Sequence, residues 1–280
     1  MDFAFRNRIC RLDGAKRLMG IINATPDSFS DGGVNFAPDN AFETAIQMER
    51  DGADFLDIGG ESTRPGFTPV AADEEIQRVV PVIKRIRSQS AIPISVDTSK
   101  AAVAEAALAA GADIINDVSA LSDSEMPAVI AKFRAGCILM HHDSMETCED
   151  SRVPAAIAEW LRRRLATAMQ ATGLPETHFC MDPGIGFGKS VSQTLEILKA
   201  MAIFREVCQR PVLLAISRKS FIGAVSGESV ASRRDSGSIA AALAAWQGFD
   251  ICRAHNIPAT LQAFRMAAKL LTPYTPPSSP

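Results

Sequence analysis

Asp97, Asn116, Asp182, Lys219, Arg253 and His255 are the side chains in this sequence best suited to chemistry, and each stands at or near the end of a short apolar run. The runs read ISVD, IIND, FCMD, VLLAISRK and ICRAH. Two more, LMGIIN from Leu18 and FLDIGGE from Phe55, open into the polar segments NATPDSFSDGG (23–33) and GGESTRPGFTP (59–69). Arg64, in the second segment, offers a permanently charged fork suited to phosphate or carboxylate. Asp97, Asn116 and Asp182 are acceptors or mixed donors, whereas Lys219, Arg253 and His255 are cationic or become so. A ligand with an amino-heterocycle at one end and an anion at the other satisfies both sets, since buried polar groups require partners. A bicyclic amine carrying a phosphate or diphosphate has that form.

Each of these residues also has a plainer reading. An acidic or amide group just past a strand can cap a helix or close a salt bridge. Of Asn116 and Asp117, one could cap the following turn, while Asp97 is freer because Thr98 and Ser99 follow it as alternative caps. Arg64 could be an exposed arginine on a tolerant loop. The segment DPGIGFGKS (182–190) is not a nucleotide loop: Pro183 stands where a P-loop needs glycine, and its glycines are spaced GxGxG rather than GxGxxG. Backbone flexibility is the function expected of them. His141 and His142, adjacent on a strand, would face opposite sides and could not share a zinc ion.

Polar groups confined to the ends of otherwise apolar runs imply strands buried on both faces and a single mouth at their carboxyl ends. With CILMHH from Cys137 the runs number eight, separated by stretches of helical periodicity, which predicts an α/β fold of the (β/α)8 TIM-barrel type. An open doubly wound sheet is the competing architecture, but it needs functional ends on only a subset of strands. In one connector Ile76, Val79, Val80, Ile83 and Ile86 recur at helical spacing behind Asp73, Glu74 and Glu75, with Pro81 expected to kink the helix. Another runs from a cap at Thr98 or Ser99 to a stop at Gly111. Asp13-Gly14 signals the turn of an N-terminal β-hairpin that plugs the barrel bottom. Residues 1–271 form one domain in this reading, and TPYTPPSSP (272–280) is a disordered C-terminal tail.

The chain has 280 residues, 47% hydrophobic and 22% charged, enough for one large core. A net charge of -3 gives no general attraction to nucleic acid or anionic lipid, so neither is an expected partner. The first residues carry Arg and Lys where a signal peptide is apolar, and no run approaches the roughly 18 apolar residues of a membrane span, so a cytoplasmic location is expected. Six cysteines without a CxxC pair read as reduced structural thiols.

Taken together, GIINATPDSFSDGG (20–33), DIGGESTRPG (57–66), VDTSK (96–100), INDVSA (115–120), MDPGIGFGK (181–189), ISRKSFIG (216–223) and RAH (253–255) resemble the dihydropteroate synthase family, in family order. The resemblance implies a barrel that condenses 6-hydroxymethyl-7,8-dihydropterin diphosphate with 4-aminobenzoate, releasing diphosphate and forming 7,8-dihydropteroate for folate synthesis. It implies that Asp97, Asn116, Asp182 and Lys219 hold the pterin, with Met140 packing on it. Asn23, Thr63, Arg64, Arg253 and His255 would surround the diphosphate, with Asn23 a ligand of Mg2+, and Phe29, Pro65 and Ser220 would help form the aminobenzoate site. Asp97, Lys219, Arg64 and His255 are the implied catalytic set. The family is thought to lose diphosphate first, leaving a pterin methylene cation that the arylamine attacks, with the loops over 24–33 and 61–68 excluding water. A homodimer through the late helices, including SIAAALAAW, is implied, although that face could equally pack on the barrel.

Two segments depart from the family pattern. The fifth run ends MHHDSMETCED, so His142 and Asp143 alter the following loop, and Asn256 replaces the aspartate of an R-x-H-D motif. These leave two rivals: a pterin-binding paralogue without turnover, and a methyltransferase barrel that binds methyltetrahydrofolate in a related pocket. The second would not need the NATPDSFSDGG and ESTRPG segments.

Overall fold

A strand that is apolar on both faces must be covered on both, and the amphipathic stretches between the runs supply the cover. The structure, a computed structural model, describes residues 1–12, 14–24, 38–61 and 70–271. Strands β1 (Asp2–Phe5) and β2 (Arg8–Arg11) form an antiparallel hairpin. Eight parallel strands follow: β3 (Arg17–Asn23), β4 (Phe55–Gly59), β5 (Ile94–Asp97), β6 (Ile114–Asp117), β7 (Gly136–Met140), β8 (Phe179–Asp182), β9 (Leu213–Ala215) and β10 (Ile251–Ala254). Their order is β8-β7-β6-β5-β4-β3-β10-β9. A bridge between Met181 and Val212, with the Met181 N–H donating to the Pro211 carbonyl at 2.8 Å, brings the two ends together into the expected barrel.

Helices α1 (Pro38–Arg50), α2 (Ala72–Arg87), α3 (Ala101–Ala110), α4 (Met126–Phe133), α5 (Val153–Thr172), α6 (Val191–Lys199), α7 (Ala202–Cys208), α8 (Ser220–Ser226), α9 (Asp235–Ala244) and α10 (Ile257–Leu270) form the outer layer. Leu18, Leu56, Val96, Ile115, Leu139, Met181 and Leu214 pack outward into the large core shared with these helices. Met19, Phe55, Ile114, Ile138, Cys180, Leu213 and Ile251 form a second cluster inside the barrel, joined by Phe3, Phe5 and Leu12 of the N-terminal segment. The hairpin therefore plugs the barrel bottom, as expected. The Arg6 N–H donates to the Arg134 carbonyl at 2.6 Å, tying it to the segment before β7.

Side chains alternate along a strand, so residues two places beyond each interior apolar residue share its face. Those residues include Asp57, Asn116, Met140, Asp182 and Arg253, with apolar Ile21 and Ala215 after Met19 and Leu213, and Asp97 stands likewise beyond buried Ser95. The strand period thus places an apolar floor below and a ring of polar groups above it. No helix among the described residues is long and apolar enough to cross a membrane.

Three local expectations need correction. The hairpin turns at Arg6 and Asn7, with Arg6 left-handed (φ 52°), and not at Asp13-Gly14, which follows the second strand. Helix α2 itself forms as its periodicity predicts, over 16 residues with Pro81 inside it. Neither Thr98 nor Ser99 caps α3; Lys100 occupies the cap position and Asp123, from the next βα connection, accepts the Ala101 N–H at 2.9 Å. Strand β7 ends at Met140, so His141 and His142 lie beyond it and the alternation does not govern them; both rings stand edge-on to Trp160. Gly111 does stop α3, in the left-handed region expected of it. The tail over 272–280 lies outside the described residues.

Candidate active site

Arg253 joins three strands at the barrel mouth. Its Nε donates to Asp57 Oδ2 at 2.6 Å and its Nη2 to Asp97 Oδ2 at 3.1 Å, while Asn116 Nδ2 donates to the same Asp57 oxygen at 3.1 Å. Asp57 is fully buried and Asp97 8% exposed, yet Oδ1 of each has no hydrogen-bond partner among the described residues. Buried carboxylate oxygens without donors are costly, and these two could accept from the N–H groups of a ligand. Burial pushes the Asp97 carboxyl up to about 7, with Arg253 opposing the rise and Asp57 adding to it. Burial also works against the Arg253 cation, but Asp57 and Asp97 outweigh it and hold its proton more tightly than usual.

Asp182 is buried at the end of β8, where its Oδ1 accepts the Gly184 N–H at 2.7 Å and burial raises its carboxyl against the pull of Lys219. Lys219 donates to the Ile185 carbonyl and lies 4.7 Å from the centroid of the Phe187 ring. Burial draws its ammonium down to about 8, with Asp182 resisting and Arg253 adding to the fall. Asn116 and Asp117 divide as their alternation requires. Asn116 faces the mouth, and Asp117 closes the next turn by accepting from Ser119 N–H and Leu121 N–H, each at 2.8 Å.

The glycines after Asp182 permit close packing that a side chain would block. Gly184 is left-handed (φ 69°), and a Cβ there would lie 1.8 Å from the His141 carbonyl oxygen. At Gly188 (φ 60°) a Cβ would lie 2.6 Å from the Asp143 carbonyl oxygen. The altered fifth loop is docked on this turn, with Met145 N–H donating to the Gly188 carbonyl at 2.9 Å. Lys189 bridges the two, its Nζ 2.8 Å from His141 Nδ1 and 2.9 Å from the His141 carbonyl. Burial brings its ammonium down to about 7, and the His141 imidazole to about 4.

Met140 is buried at the end of β7. Asn23, exposed at the end of β3, stands on the rim, and Ser220 is the exposed first residue of α8. His255 follows β10, with its Nδ1 2.9 Å from Ser217 Oγ, and Asn256 caps α10 by accepting the Ala259 N–H at 3.1 Å. Arg253, expected among the anion groups, is bonded into the acidic set. Phe29, Thr63, Arg64 and Pro65 lie outside the described residues. The residues flanking 62–69 are joined, since Glu61 Oε2 accepts the Val70 N–H at 3.1 Å. Lys100 bonds to Glu61 and, at 2.6 Å, to buried Glu75.

Sequence reading did not single out Asp57 in the mouth cluster, nor the contacts of Lys189 and Lys100. The available signal for Asp57 was its charge inside an apolar run at the interior parity, two places after Phe55. Lys189 and Lys100 act through contacts distant in sequence, and no local pattern marks them.

An eight-stranded barrel with buried acceptors and cations at its carboxyl-terminal mouth is the architecture of a pterin-binding enzyme, and the family described as "Pterin binding enzyme" matches residues 19–255. A dihydropteroate synthase of Streptococcus pyogenes serotype M6 is 43% identical over 265 residues, 93% of this chain and 97% of its own. The structure of Xanthomonas albilineans dihydropteroate synthase with 4-aminobenzoic acid superposes with a TM-score of 0.91 at 40% identity, covering 98% of this chain and 99% of the other. The same organism's enzyme in complex with 7,8-dihydropteroate gives 0.88 at 37% identity, covering 98% and 100%. The chain belongs to the dihydropteroate synthase family.

Proposed function

We propose that this chain, acting through one pterin-binding domain over 1–271, joins 6-hydroxymethyl-7,8-dihydropterin diphosphate to 4-aminobenzoate, forming 7,8-dihydropteroate and releasing diphosphate. The observation that carries the reading is the pair of unpartnered buried oxygens, Asp57 Oδ1 and Asp97 Oδ1, on a ring that also holds Asn116, Asp182 and Lys219. Such a set suits a flat heterocycle rich in N–H groups. The two X. albilineans complexes, with 4-aminobenzoic acid and with 7,8-dihydropteroate, support the choice of substrate and product.

In this reading Asp97, Asn116, Asp182 and Lys219 hold the pterin ring and Met140 packs on it. Asn23, Thr63, Arg64, Arg253 and His255 receive the diphosphate, and Phe29, Pro65 and Ser220 border the aminobenzoate. Arg253 serves both halves, since one guanidinium ties Asp57 to Asp97 beside the anion groups. The bond between the pterin methylene carbon and the diphosphate oxygen breaks, and diphosphate leaves with the electron pair. The arylamine nitrogen then attacks the methylene carbon and gives up a proton. Arg64, Arg253 and His255 stabilise the charge on the leaving group, and Asp97 offsets the charge spread over the ring.

Asn23 presents a hard amide oxygen at the open rim, which suits Mg2+, an ion that takes one or two protein oxygens beside substrate phosphates and water. Bound there, Mg2+ would supply further charge neutralisation for the departing diphosphate. A homodimer through the late helices is the proposed assembly. The exposed apolar side chains Val225 (60%), Met266 (58%) and Leu270 (73%) on α8 and α10 support it. A reducing, cytoplasmic setting suits Cys137, Cys148, Cys180, Cys208 and Cys252, which form no disulfide among the described residues.

The test is turnover: purified protein with Mg2+ and both substrates should release dihydropteroate, measurable by chromatography. Pterin binding without product at saturating substrate would establish the non-catalytic paralogue instead.

A further inference from the structure

One carboxylate, Asp235 at the start of α9, holds the turns after two adjacent strands. It receives Arg218 Nε at 2.6 Å and Nη2 at 2.9 Å, a two-pronged pair. It also receives Asn256 Nδ2 at 3.0 Å. Arg218 stands between Ser217 and Lys219 after β9, and Asn256 directly follows His255 after β10.

The turn at Arg218 needs holding. Its φ of 61° lies in the left-handed region, unfavourable for an arginine unless its surroundings fix it. Those surroundings are Asp235, Ser238, whose Oγ accepts the Arg218 N–H at 2.9 Å, and Arg234, whose Nη1 donates to the Arg218 carbonyl at 3.3 Å. The reversal separates the neighbours of Arg218. Ser217 Oγ faces β10, accepting the His255 N–H at 3.2 Å and meeting His255 Nδ1 at 2.9 Å. Lys219 instead reaches the β8 side, at the Ile185 carbonyl.

The geometry points to Asp235 as a positioning residue for the dihydropteroate synthase reaction: through Arg218 and Asn256 it fixes the directions in which Lys219 and His255 enter the pterin diphosphate site. It also accounts for the amide at position 256. An aspartate there would set a second carboxylate 3.0 Å from the first, whereas asparagine donates to Asp235 and still caps α10. Arg218 and Asn256 already provide three hydrogen bonds to Asp235, and Arg218 is foremost in holding its carboxyl below the usual range.

The inference rests on the function proposed above, so its readout is affinity for the pterin diphosphate, measured by calorimetry with Mg2+ present, alongside turnover. Asp235→Asn keeps the shape and removes the charge. It should weaken binding of the pterin diphosphate about tenfold or more, the scale of a charged hydrogen bond, with the circular dichroism spectrum unchanged. Asn256→Asp alone should also weaken it, through the paired carboxylates. The double variant Asp235→Asn/Asn256→Asp exchanges carboxylate and amide and should bind better than the weaker single variant. Wild-type affinity in Asp235→Asn, or effects that simply add in the double variant, would overturn the role of Asp235. A wild-type chain that binds the pterin diphosphate but makes no dihydropteroate would sink the proposed reaction while leaving these affinities readable.

Discussion

Arg253 and Asp57 form an ion pair at the barrel mouth, Nε to Oδ2 at 2.6 Å, that joins β10 to β4 across 196 residues of sequence. Asp57 is fully buried and the Arg253 side chain only 17% exposed, so neither charge is well served by water. A pair of this kind contributes little net stability when intact and is costly to break from one side. Asp57→Ala leaves the Arg253 cation with Asp97 as its remaining ion-pair partner among the described residues and should lower the unfolding free energy by about 3 kcal/mol, the low end for such pairs. Chemical denaturation measures it. A loss below about 1 kcal/mol, the scale of a surface pair, would mean that the mouth is wetter than its burial indicates.

The same cluster sets a pH profile for turnover. In the proposed site Asp97 is ionised to accept from the pterin, and Lys219 is protonated to act as a cation. With Asp97 raised to about 7 and Lys219 lowered to about 8, kcat/KM for the pterin diphosphate should fall on both sides of a narrow optimum between those values. Asp97→Ala and Lys219→Ala should each reduce kcat by about 10²–10³, the usual scale for a preorganised charged group. Lys219→Met should also remove the alkaline limb. Persistence of that limb in the variant would assign it to another group.

Stability should respond to Asp97 in the opposite sense from a typical paired carboxylate. In the folded chain its proton is held up to about 7, whereas the unfolded group releases it near 3.8. Between these values the folded state binds more protons, so the group's contribution to stability declines as pH rises. Asp97→Asn removes that decline. Its melting temperature relative to wild type should climb from pH 4 to pH 7 and then level off. A difference that stays constant across this window would show that Asp97 ionises normally.

Much of this site was legible because its signal is local. The interior parity of each strand carries Asp97, Asn116 and Asp182 to the mouth, and a charge ending an apolar run needs no tertiary knowledge to be noticed. Asp57 carried the same signal, overshadowed by the glycine-rich segment that follows it. Other features depend on contacts between distant segments. The cap of α3 comes from Asp123, the turn at Arg218 from Asp235, and the tether of His141 from Lys189, and none of these pairings has a sequence period. The hairpin turn was misplaced for a related reason: Asp13-Gly14 is the stronger turn signal, but alternation puts Phe3 and Phe5 on one face, and burying both inside the barrel fixes the turn at Arg6.

That burial separates what the barrel floor does from what the mouth does. Phe5 is 1% exposed and packs edge-on against Phe55, ring centroids 6.3 Å apart, with Arg8 5.6 Å above its own ring. Phe55 lies two residues before Asp57 on the same strand face, so the plug and the acidic cluster occupy successive layers of one interior. Phe5→Ala should cost about 3–5 kcal/mol, because the cavity it leaves is walled by strands that cannot collapse inward. The polar groups of the mouth stand on the layer above and keep their own hydrogen bonds, so kcat at a temperature well below the transition should remain within about twofold of wild type. Parallel denaturant melts and steady-state rates check both halves. A large fall in kcat with little loss of stability would show that the floor transmits its packing to Asp57 and Arg253, and would join the two layers into one functional unit.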